Sequence, residues 1–505
     1  MRLRNTILVP LLALALTARA QTPAPTTRSI SLAECIQIAL EHNLDLKIER
    51  FNPEVAQYNV GLAYAGYDPV FDFKGTHGNN FAPGSFDSFR LQDIPANKSS
   101  KDAFNTSLGG LLPTTGLQYS LAGNIAETAG QSLPTDKDPL SHPSDNTSGL
   151  VGLTLTQPLL KNFWIDNTRY TISVSKNRLK YSEHGLRFRI MTTVNNVELA
   201  YYSLIQAREN VTNQEQALAL AQQLLAENKK RVEVGALAPL DEKQAESQVA
   251  ARRADLLSAR SNLDTQQNAL KSLLSEDFAE WNGVLLQPSE TLAAPAQVFD
   301  LQASWQRGLT QRPDLLQARL DVEQQGITVR YLRNQTYPQL DVIGSYGHNA
   351  SKKEYSGAFN DIGEGKGPVY AFGAELKFPL GNRAARSNYR ISKAQKEQTL
   401  LRLKQAEQNV MIAIDNAVKQ AQTAYQSVDA TKQARVYAEA ALDAEHKKLE
   451  NGKSTSFQVL QLQRDLTFAR SAEIQALGDY NKALAQLAFT EGATLEKAGL
   501  KIEVK

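Results

Sequence analysis

Apolar residues recur at helical spacing over two unusually long stretches of the chain, about 167–235 and about 383–451. At 1.5 Å per residue, a helix of about 65 residues is about 100 Å long, which few globular domains need. Each stretch is followed by a turn and by a second helical stretch, about 239–275 and about 456–488. The pattern therefore predicts two long helical hairpins with coiled-coil-like packing.

The period changes from 3.6 to 2 in other parts of the chain. Apolar and polar residues alternate over 117–125, 151–156 and 372–380. Alternation places the apolar side chains on one face of a strand and the polar side chains on the other. The sequence thus predicts strands within about 68–158 and about 338–380, each group preceding one of the long hairpins. The polar segments 77–103 and 349–367 are predicted to be loops.

Both hairpin turns contain a glycine directly after the first long helix. The turns read Val234-Gly235-Ala236 and Asn451-Gly452-Lys453. Glycine is the usual left-handed end of a helix because it lacks a Cβ atom. We expect these two turns to be the tips of the hairpins.

The chain repeats itself at a constant offset. Leu40, Asp45, Leu46 and Arg50 recur as Leu309, Asp314, Leu315 and Arg319, and Pro69 recurs as Pro338. Repeats must be identified before domains are counted. Two copies of one unit, helix–strands–long helix–turn–helix, are therefore predicted at 31–295 and 300–490. A connector occupies 276–299 and a polar tail 491–505.

The N-terminus has the pattern of a secretory signal peptide. Arg2 and Arg4 precede a short apolar run, and Ala18-Arg19-Ala20 fits a cleavage site. Residues 1–20 are predicted to be removed, and a membrane anchor is the weaker interpretation because the run is too short to span. Residues 21–30, rich in Pro and Thr, are predicted to be flexible.

Charge and cysteine content exclude several classes of function. The formal net charge of the 505-residue chain is +2, and without the three arginines of the signal peptide it becomes about −1. This charge balance does not indicate binding to nucleic acid, which requires an excess of positive charge. Cys35 is the only cysteine, so no intrachain disulfide can form. No stretch after the signal peptide reaches about 18 apolar residues, so no transmembrane helix is expected.

No catalytic residue, cofactor site or metal site is predicted. Gly452-Lys453-Ser454 resembles the end of a P-loop, but the first glycine of that motif would fall at Lys447, and the segment follows a helix. The six histidines are scattered without metal-ligand spacing. The glycine-rich segment 363–367 is predicted to be a surface loop between strands.

The strands and helices cannot all be covered by one chain. A few strands in each half cannot close a barrel alone, and lipid does not tolerate open sheet edges. A ring of several chains with cyclic symmetry solves this, since strands of each chain close one barrel and helices pack into a hollow cylinder. Apolar residues would then face lipid and polar residues a wet lumen.

This combination resembles the outer-membrane efflux channel family typified by TolC, over about residues 30–495. The most specific motifs are Val234-Gly235-Ala236 with the following Asp241, and Arg312-Pro313-Asp314-Leu315 at the start of the second half. The resemblance implies an α+β membrane protein. It would be a trimeric transmembrane β-barrel continued by a long α-helical coiled-coil tunnel in the periplasm and built from an internal duplication.

The resemblance also implies partners and sites. A periplasmic adaptor protein would dock on the tips (Val234, Gly235, Ala236, Asn451, Gly452 and Lys453), and an inner-membrane pump or exporter would supply energy. An equatorial collar would form from 281–299 and the C-terminal tail. The channel would be passive, would carry substrates in efflux or type I secretion, and would open when the tip helices separate.

Two departures from the family pattern concern the sites. The second tip is Asn451-Gly452-Lys453 instead of Val-Gly-Thr, so adaptor contacts there are expected to differ. Some members line the closed aperture with aspartates, but the matching positions here are Gln458 and Gln461, leaving Asp241 as a candidate aperture anion.

Two alternatives stay open at this point. The hairpin 104–125 is an extra pair of strands, which gives either six strands per protomer and an 18-stranded trimer, or a hairpin outside the barrel. The rival function is a periplasmic coiled-coil scaffold or adhesin without a pore, which would need no strands with one apolar and one polar face.

Overall fold

The computed structural model describes residues 26–134 and 140–500. The predicted signal peptide, residues 21–25 and residues 501–505 lie outside the described residues. The helices in chain order are α1 (Leu32–His42), α2 (Leu44–Tyr64), α3 (Asn167–Glu233), α4 (Pro239–Leu274), α5 (Phe278–Trp281), α6 (Leu301–Gln311), α7 (Pro313–Asn334), α8 (Tyr355–Gly363), α9 (Arg383–Glu450), α10 (Ser456–Glu491) and α11 (Thr494–Lys497).

The strands likewise follow the chain. They are β1 (Thr26–Ile30), β2 (Val70–Ala82), β3 (Ser85–Asp87), β4 (Gln92–Ile94), β5 (Asn97–Leu111), β6 (Gln118–Ser132), β7 (His142–Pro158), β8 (Val284–Pro288), β9 (Gln339–Lys352) and β10 (Pro368–Lys377). A 3-10 turn, Ala65–Tyr67, follows α2.

Six strands form one sheet in the order β10-β9-β7-β6-β5-β2. All five neighbouring pairs are antiparallel. The predicted extra hairpin corresponds to β5 and β6, and it is hydrogen-bonded into this same sheet. In the single chain the hairpin therefore belongs to the same sheet as the other four strands.

Several polar segments predicted to be loops are regular elements. β2 continues to Ala82 and β5 begins at Asn97, inside the polar stretch 77–103. Ladder hydrogen bonds between backbones, which do not depend on apolar side chains, explain the extension. The predicted loop 349–367 likewise contains α8, which ends at the first glycine of the 363–367 segment.

The N-terminal segment was predicted to be flexible over 21–30, and this is wrong for its last five residues. Thr26–Ile30 forms β1, which pairs in parallel with β8 of the connector. Ser31 then caps α1 by accepting a hydrogen bond from the Glu34 N–H at 3.2 Å, as serine commonly does at the start of a helix. α1 and α2 are separated at Asn43, and Pro53 lies inside the continuous helix α2.

The described chain divides into two compact units. The first contains residues 26–44, 193–299 and 419–486, and the second contains residues 45–192, 300–418 and 487–500. Each unit therefore takes segments from both halves of the sequence. The six-stranded sheet belongs to the second unit, and the two hairpin tips belong to the first.

The core of the first unit is a set of apolar clusters along its helices. One cluster joins Leu224 of α3 to Leu442 and Leu449 of α9 and to Val459 and Leu460 of α10. Close to the tips, these buried side chains hold the second hairpin against the first.

Candidate functional site

The first tip ends α3 with two backbone hydrogen bonds around Gly235. The Gly235 N–H donates to the Val232 carbonyl at 3.0 Å, and the Ala236 N–H donates to the Arg231 carbonyl at 2.7 Å. Gly235 has φ +72°, the left-handed conformation that a glycine adopts without a Cβ penalty. This is the Schellman arrangement, which satisfies carbonyls that the end of the helix leaves open.

The second tip repeats this geometry around Gly452. The Gly452 N–H donates to the Leu449 carbonyl at 3.1 Å, and the Lys453 N–H donates to the Lys448 carbonyl at 2.8 Å. Gly452 has φ +70°. A Cβ atom at either glycine would meet nothing within 4 Å, so both tips are open to a partner.

The side chains of the two tips differ. The first tip exposes Val234 and Leu240 by 78% and 66%, and Pro239 begins α4 without a side-chain cap. At the second tip the Asn451 amide donates to the Lys447 carbonyl at 2.7 Å. The first tip therefore exposes the apolar Val234 where the second tip has the polar Asn451. Both tips expose an apolar residue at the second position of the returning helix, because Phe457 of α10 is 59% exposed.

Glu445 holds the polar turn of the second tip in place. Its carboxylate accepts hydrogen bonds from the Ser454 hydroxyl at 2.5 Å and from the Lys448 ammonium at 2.9 Å. These two hydrogen bonds, that of Ser454 first, lower the pKa of Glu445 below its ordinary value. The turn is thus tied to α9 by a carboxylate that stays ionised at neutral pH.

Asn228 of α3 links the two returning helices directly behind the tips. Its side chain is fully buried. The Ser456 hydroxyl, at the start of α10, donates to the Asn228 Oδ1 at 2.9 Å, and the Asn228 Nδ2 donates to the Asp241 carbonyl of α4 at a long 3.5 Å. One amide therefore holds the first turns of both helices to the same place on α3.

The predicted aperture residues occupy matching places on the returning helices. Asp241 and Gln458 are each the third residue of their helix, α4 and α10. Asp241 is half-buried, while Gln458 and Gln461 are exposed. The Gln458 Oε1 lies 3.0 Å from the Ser454 hydroxyl, so the polar network of the second tip reaches the predicted aperture.

Asn228, Glu445 and Ser456 were not predicted from the sequence. Asn228 follows Leu224 by one helical turn, so it occupies a position of the buried apolar seam. A polar residue at such a position indicates a buried side chain with hydrogen-bond partners, and this could have been inferred from the sequence. Its two partners could not be inferred, because they come from two separate segments of the chain.

The six-stranded sheet has two chemically different faces. Directly paired residues share a face, so the register assigns every strand position. One face, which we call the apolar face, carries Phe71, Phe73, Phe104, Leu108, Tyr119, Leu121, Ile125, Val151, Leu153, Leu155, Leu340, Val342, Tyr346, Tyr370, Phe372 and Leu376.

The opposite face, the polar face, carries mainly small and polar residues. They include Asp72, Lys74, Thr76, Lys101, Asn105, Ser107, Gln118, Ser120, Asn124, Thr154, Thr156, Ser345, Asn349, Gly373 and Glu375. On the apolar face of the single chain, Phe372 is 87% exposed. A continuous exposed apolar surface of this kind needs a covering other than water.

In the parts of the chain that the structure describes, no helix combines the length and apolarity needed to cross a membrane. Within residues 26–134 and 140–500, no group of three or more His, Cys, Asp or Glu side chains is arranged to hold a metal ion.

A sheet with one apolar and one polar face, combined with helical hairpins ending in open tips, defines a class of outer-membrane channel proteins. The family model described as outer membrane efflux protein matches residues 117–276 and 305–493. The chain belongs to the outer membrane efflux protein family, a family of transport proteins of the outer membrane.

Curated relatives and solved structures agree with this assignment. The chain is 25% identical over 359 residues to the outer membrane efflux protein BepC of Brucella suis, covering 70% of this chain and 75% of the relative. It is 23% identical over 428 residues to the outer membrane protein TolC of Vibrio cholerae, covering 80% and 89%. The crystal structure of the Campylobacter jejuni CmeC outer membrane channel shares the fold, with a TM-score of 0.63, 17% identity and coverage of 92% and 86%.

Proposed function

We propose that this protein is the passive outer-membrane exit channel of a tripartite efflux or type I secretion system. Three copies would form a β-barrel in the outer membrane and an α-helical tunnel in the periplasm. The single observation that carries the proposal is the division of the whole sheet into an apolar and a polar face. Such a sheet suits a wall between lipid and a water-filled lumen, and a scaffold without a pore has no use for it.

The edges of the sheet support closure by three chains. β10 and β2 are the outer strands of the six-stranded order, and open edges are not tolerated in lipid. Pairing β10 of one copy with β2 of the next removes every edge. Three copies would then give a barrel of about 18 strands, which is wide enough for an aqueous channel.

An internal duplication accounts for the matching element bounds. The pair α1–α2 begins at Leu32 and Leu44, and the pair α6–α7 begins at Leu301 and Pro313. The start of α6 follows that of α1, and the start of α7 follows that of α2, by the same offset that relates the repeated residues of the sequence. A duplicated unit in each of three chains would give the tunnel six similar hairpins.

The tips are the proposed docking surface for a periplasmic adaptor protein, which would connect the channel to an inner-membrane pump or exporter. Val234, Gly235 and Ala236 would offer an apolar contact, and Asn451, Gly452 and Lys453 a polar one. Asp241, Gln458 and Gln461 would line the closed aperture, where amides hold cations less strongly than carboxylates.

Single-channel conductance in a planar bilayer tests the proposal, together with the oligomer mass of the detergent-extracted protein. A trimer with a small, fluctuating conductance is the expected result, because the pore is closed at its tips. A folded, inserted protein without conductance in any condition, or a protein extracted as a soluble monomer, would contradict the channel and favour the scaffold.

Two lysines of β5 provide a matched pair for the lumen assignment. Lys101 lies on the polar face and Lys98 on the apolar face, and both side chains are exposed. Lys101→Glu should shift the reversal potential in a salt gradient toward cation selectivity, whereas Lys98→Glu should shift it much less. Equal shifts would show that the polar face does not line the conducting path.

A further inference from the structure

The short helix α8 packs on the apolar face of the sheet. The Tyr355 ring centroid lies 6.5 Å from that of Phe104. On β7, a Cβ atom at Gly149 would come within 2.8 Å of the Ile362 Cδ1, so the glycine leaves space for the helix. Ala358, between these two contacts, is fully buried. A helix on this face stands outside the barrel that the proposed function requires.

This helix lies where the apolar face becomes polar. Phe104 and Ile125 are paired across β5 and β6, and the next paired residues on the same face are Asp102 and Glu127. Tyr355 spans the change, because its ring contacts Phe104 while its hydroxyl donates to the Asp102 carbonyl at 3.4 Å. Tyrosine is enriched at membrane–water interfaces for this reason, having an apolar ring and a polar tip.

The helix is also amphipathic. Tyr355, Ala358 and Ile362 contact the sheet or are buried, whereas Ser356 and Asn360 are exposed polar residues. Phe359 lies on the border between these two sides, and 59% of it is exposed. Phe359 thus adds an exposed aromatic side chain to the exposed apolar face of the sheet, and contact of this surface with water is unfavourable.

The charges around α8 pair with one another. Asp361 forms ion pairs with Lys352 at 3.2 Å and with Lys366 at 3.5 Å. Lys366 also pairs with Glu364 at 2.5 Å. These pairs tie the helix to the end of β9 and leave little net charge to attract an anionic surface, so the apolar contact must provide the affinity for a membrane.

We propose that α8 is an interfacial helix embedded in the membrane at the boundary between acyl chains and headgroups. Phe359 lies among the acyl chains and Asn360 faces the aqueous side. The inference rests on the proposed function, since it requires lipid on the apolar face. The helix would widen the apolar belt of each protomer and fix its depth in the bilayer.

Spin labels at single cysteines test this proposal. Cys35, the only cysteine, is buried, and Cys35→Ala gives the background for Phe359→Cys, Asn360→Cys, Phe372→Cys and Gly373→Cys. Phe372 and Gly373 are neighbours on opposite faces of β10, and a Cβ at Gly373 would meet nothing within 4 Å. Each assembled variant is placed in phosphatidylcholine vesicles, and its label's collision rates with oxygen and with a water-soluble nickel chelate are compared.

The ratio of oxygen to nickel accessibility is expected to be several-fold higher at position 359 than at position 360. The same difference is expected between position 372 and position 373. If 372 and 373 do not differ, the lipid-facing assignment and the proposed function fail together. If they differ as expected but 359 matches 360, the helix lies in water and only this inference fails. A label at 359 that neither reagent reaches would mean a protein contact, which also overturns it.

Discussion

The two hairpin tips have the same backbone and different surfaces. In both, a glycine with φ close to +70° ends the long helix, the same two backbone hydrogen bonds close the turn, and three further residues precede the returning helix. Beside the glycine the first tip exposes Val234, whereas the second has Asn451, whose amide folds back onto the turn. Each returning helix also exposes an apolar residue at its second position, Leu240 or Phe457. The glycine thus determines the shape of a tip, and the neighbouring side chains determine what can bind there.

The difference extends to how each returning helix begins. α4 starts with Pro239 and has no side-chain cap, whereas α10 starts after Thr455, whose hydroxyl accepts from the Gln458 N–H at 3.4 Å. Proline at the first helical position fixes φ without losing a needed donor. The two helices therefore begin by different means behind tips of the same shape.

Asn228 hydrogen-bonds to the returning helices of both hairpins, so its substitution should have the largest effect on the tips. Asn228→Ala removes its hydrogen bonds to Ser456 and Asp241 and leaves the buried Ser456 hydroxyl without this partner, at a cost of about 1–3 kcal/mol. Both returning helices should loosen, so single-channel conductance should rise. Gln222→Ala, an exposed change on the same helix, is the control, and an unchanged conductance in Asn228→Ala would contradict the linking role.

Alanine at each tip glycine tests whether the tips are equivalent. Gly235→Ala and Gly452→Ala force a Cβ into the left-handed region, which costs about 1–2 kcal/mol, and neither Cβ would meet a neighbour. Both variants should therefore lower the melting temperature by a similar amount, measured by circular dichroism at a fixed scan rate.

Gly326→Ala is the control for that comparison. Gly326 lies inside α7, and a Cβ there would also meet nothing within 4 Å, so alanine should stabilise the helix by about 0.5–1 kcal/mol. A large difference between the two tip variants would show that the tips are not equivalent in backbone energy.

Removing the cap of α10 and adding one to α4 should make the two helix starts more similar in stability. Thr455→Ala removes a side-chain cap and should cost about 1 kcal/mol, and Ala238→Ser should add a cap where the backbone is already extended. Thermal unfolding of the single and double variants measures both effects. Stabilisation by Ala238→Ser is expected, and destabilisation would mean that Pro239 already sets the best start for α4.

Acid should loosen the second tip. The pKa of Glu445 is lowered in the closed tip, first by the Ser454 hydroxyl and then by Lys448. Its contribution is therefore fully present above the ordinary glutamate pKa of about 4.5 and is lost as pH falls through the lowered value. Conductance should rise below about pH 4.5 in the unsubstituted protein. In Glu445→Gln, which cannot titrate there, this rise should be missing, and an identical rise in both proteins would contradict the role of Glu445.

The local sequence pattern was sufficient to predict the four long helices. The predicted bounds of the long helices agree within about three residues with α3, α4, α9 and α10, because helical periodicity over many turns is a strong local signal. The glycine ends of α3 and α9 were predictable for a similar reason, since only a residue without a Cβ adopts positive φ freely.

The hairpins, their glycine-ended tips and the alternation of strands such as β6 could therefore be predicted from residue order alone. Other features became known only from the folded chain: polar residues extend β2 and β5, Thr26–Ile30 pairs with the connector, α8 packs on the apolar face, and Asn228 joins two helices. Periodicity and glycine conformation act within a few residues, so the sequence reveals them directly. Strand pairing and buried hydrogen bonds instead depend on partners from distant segments, which no local pattern identifies.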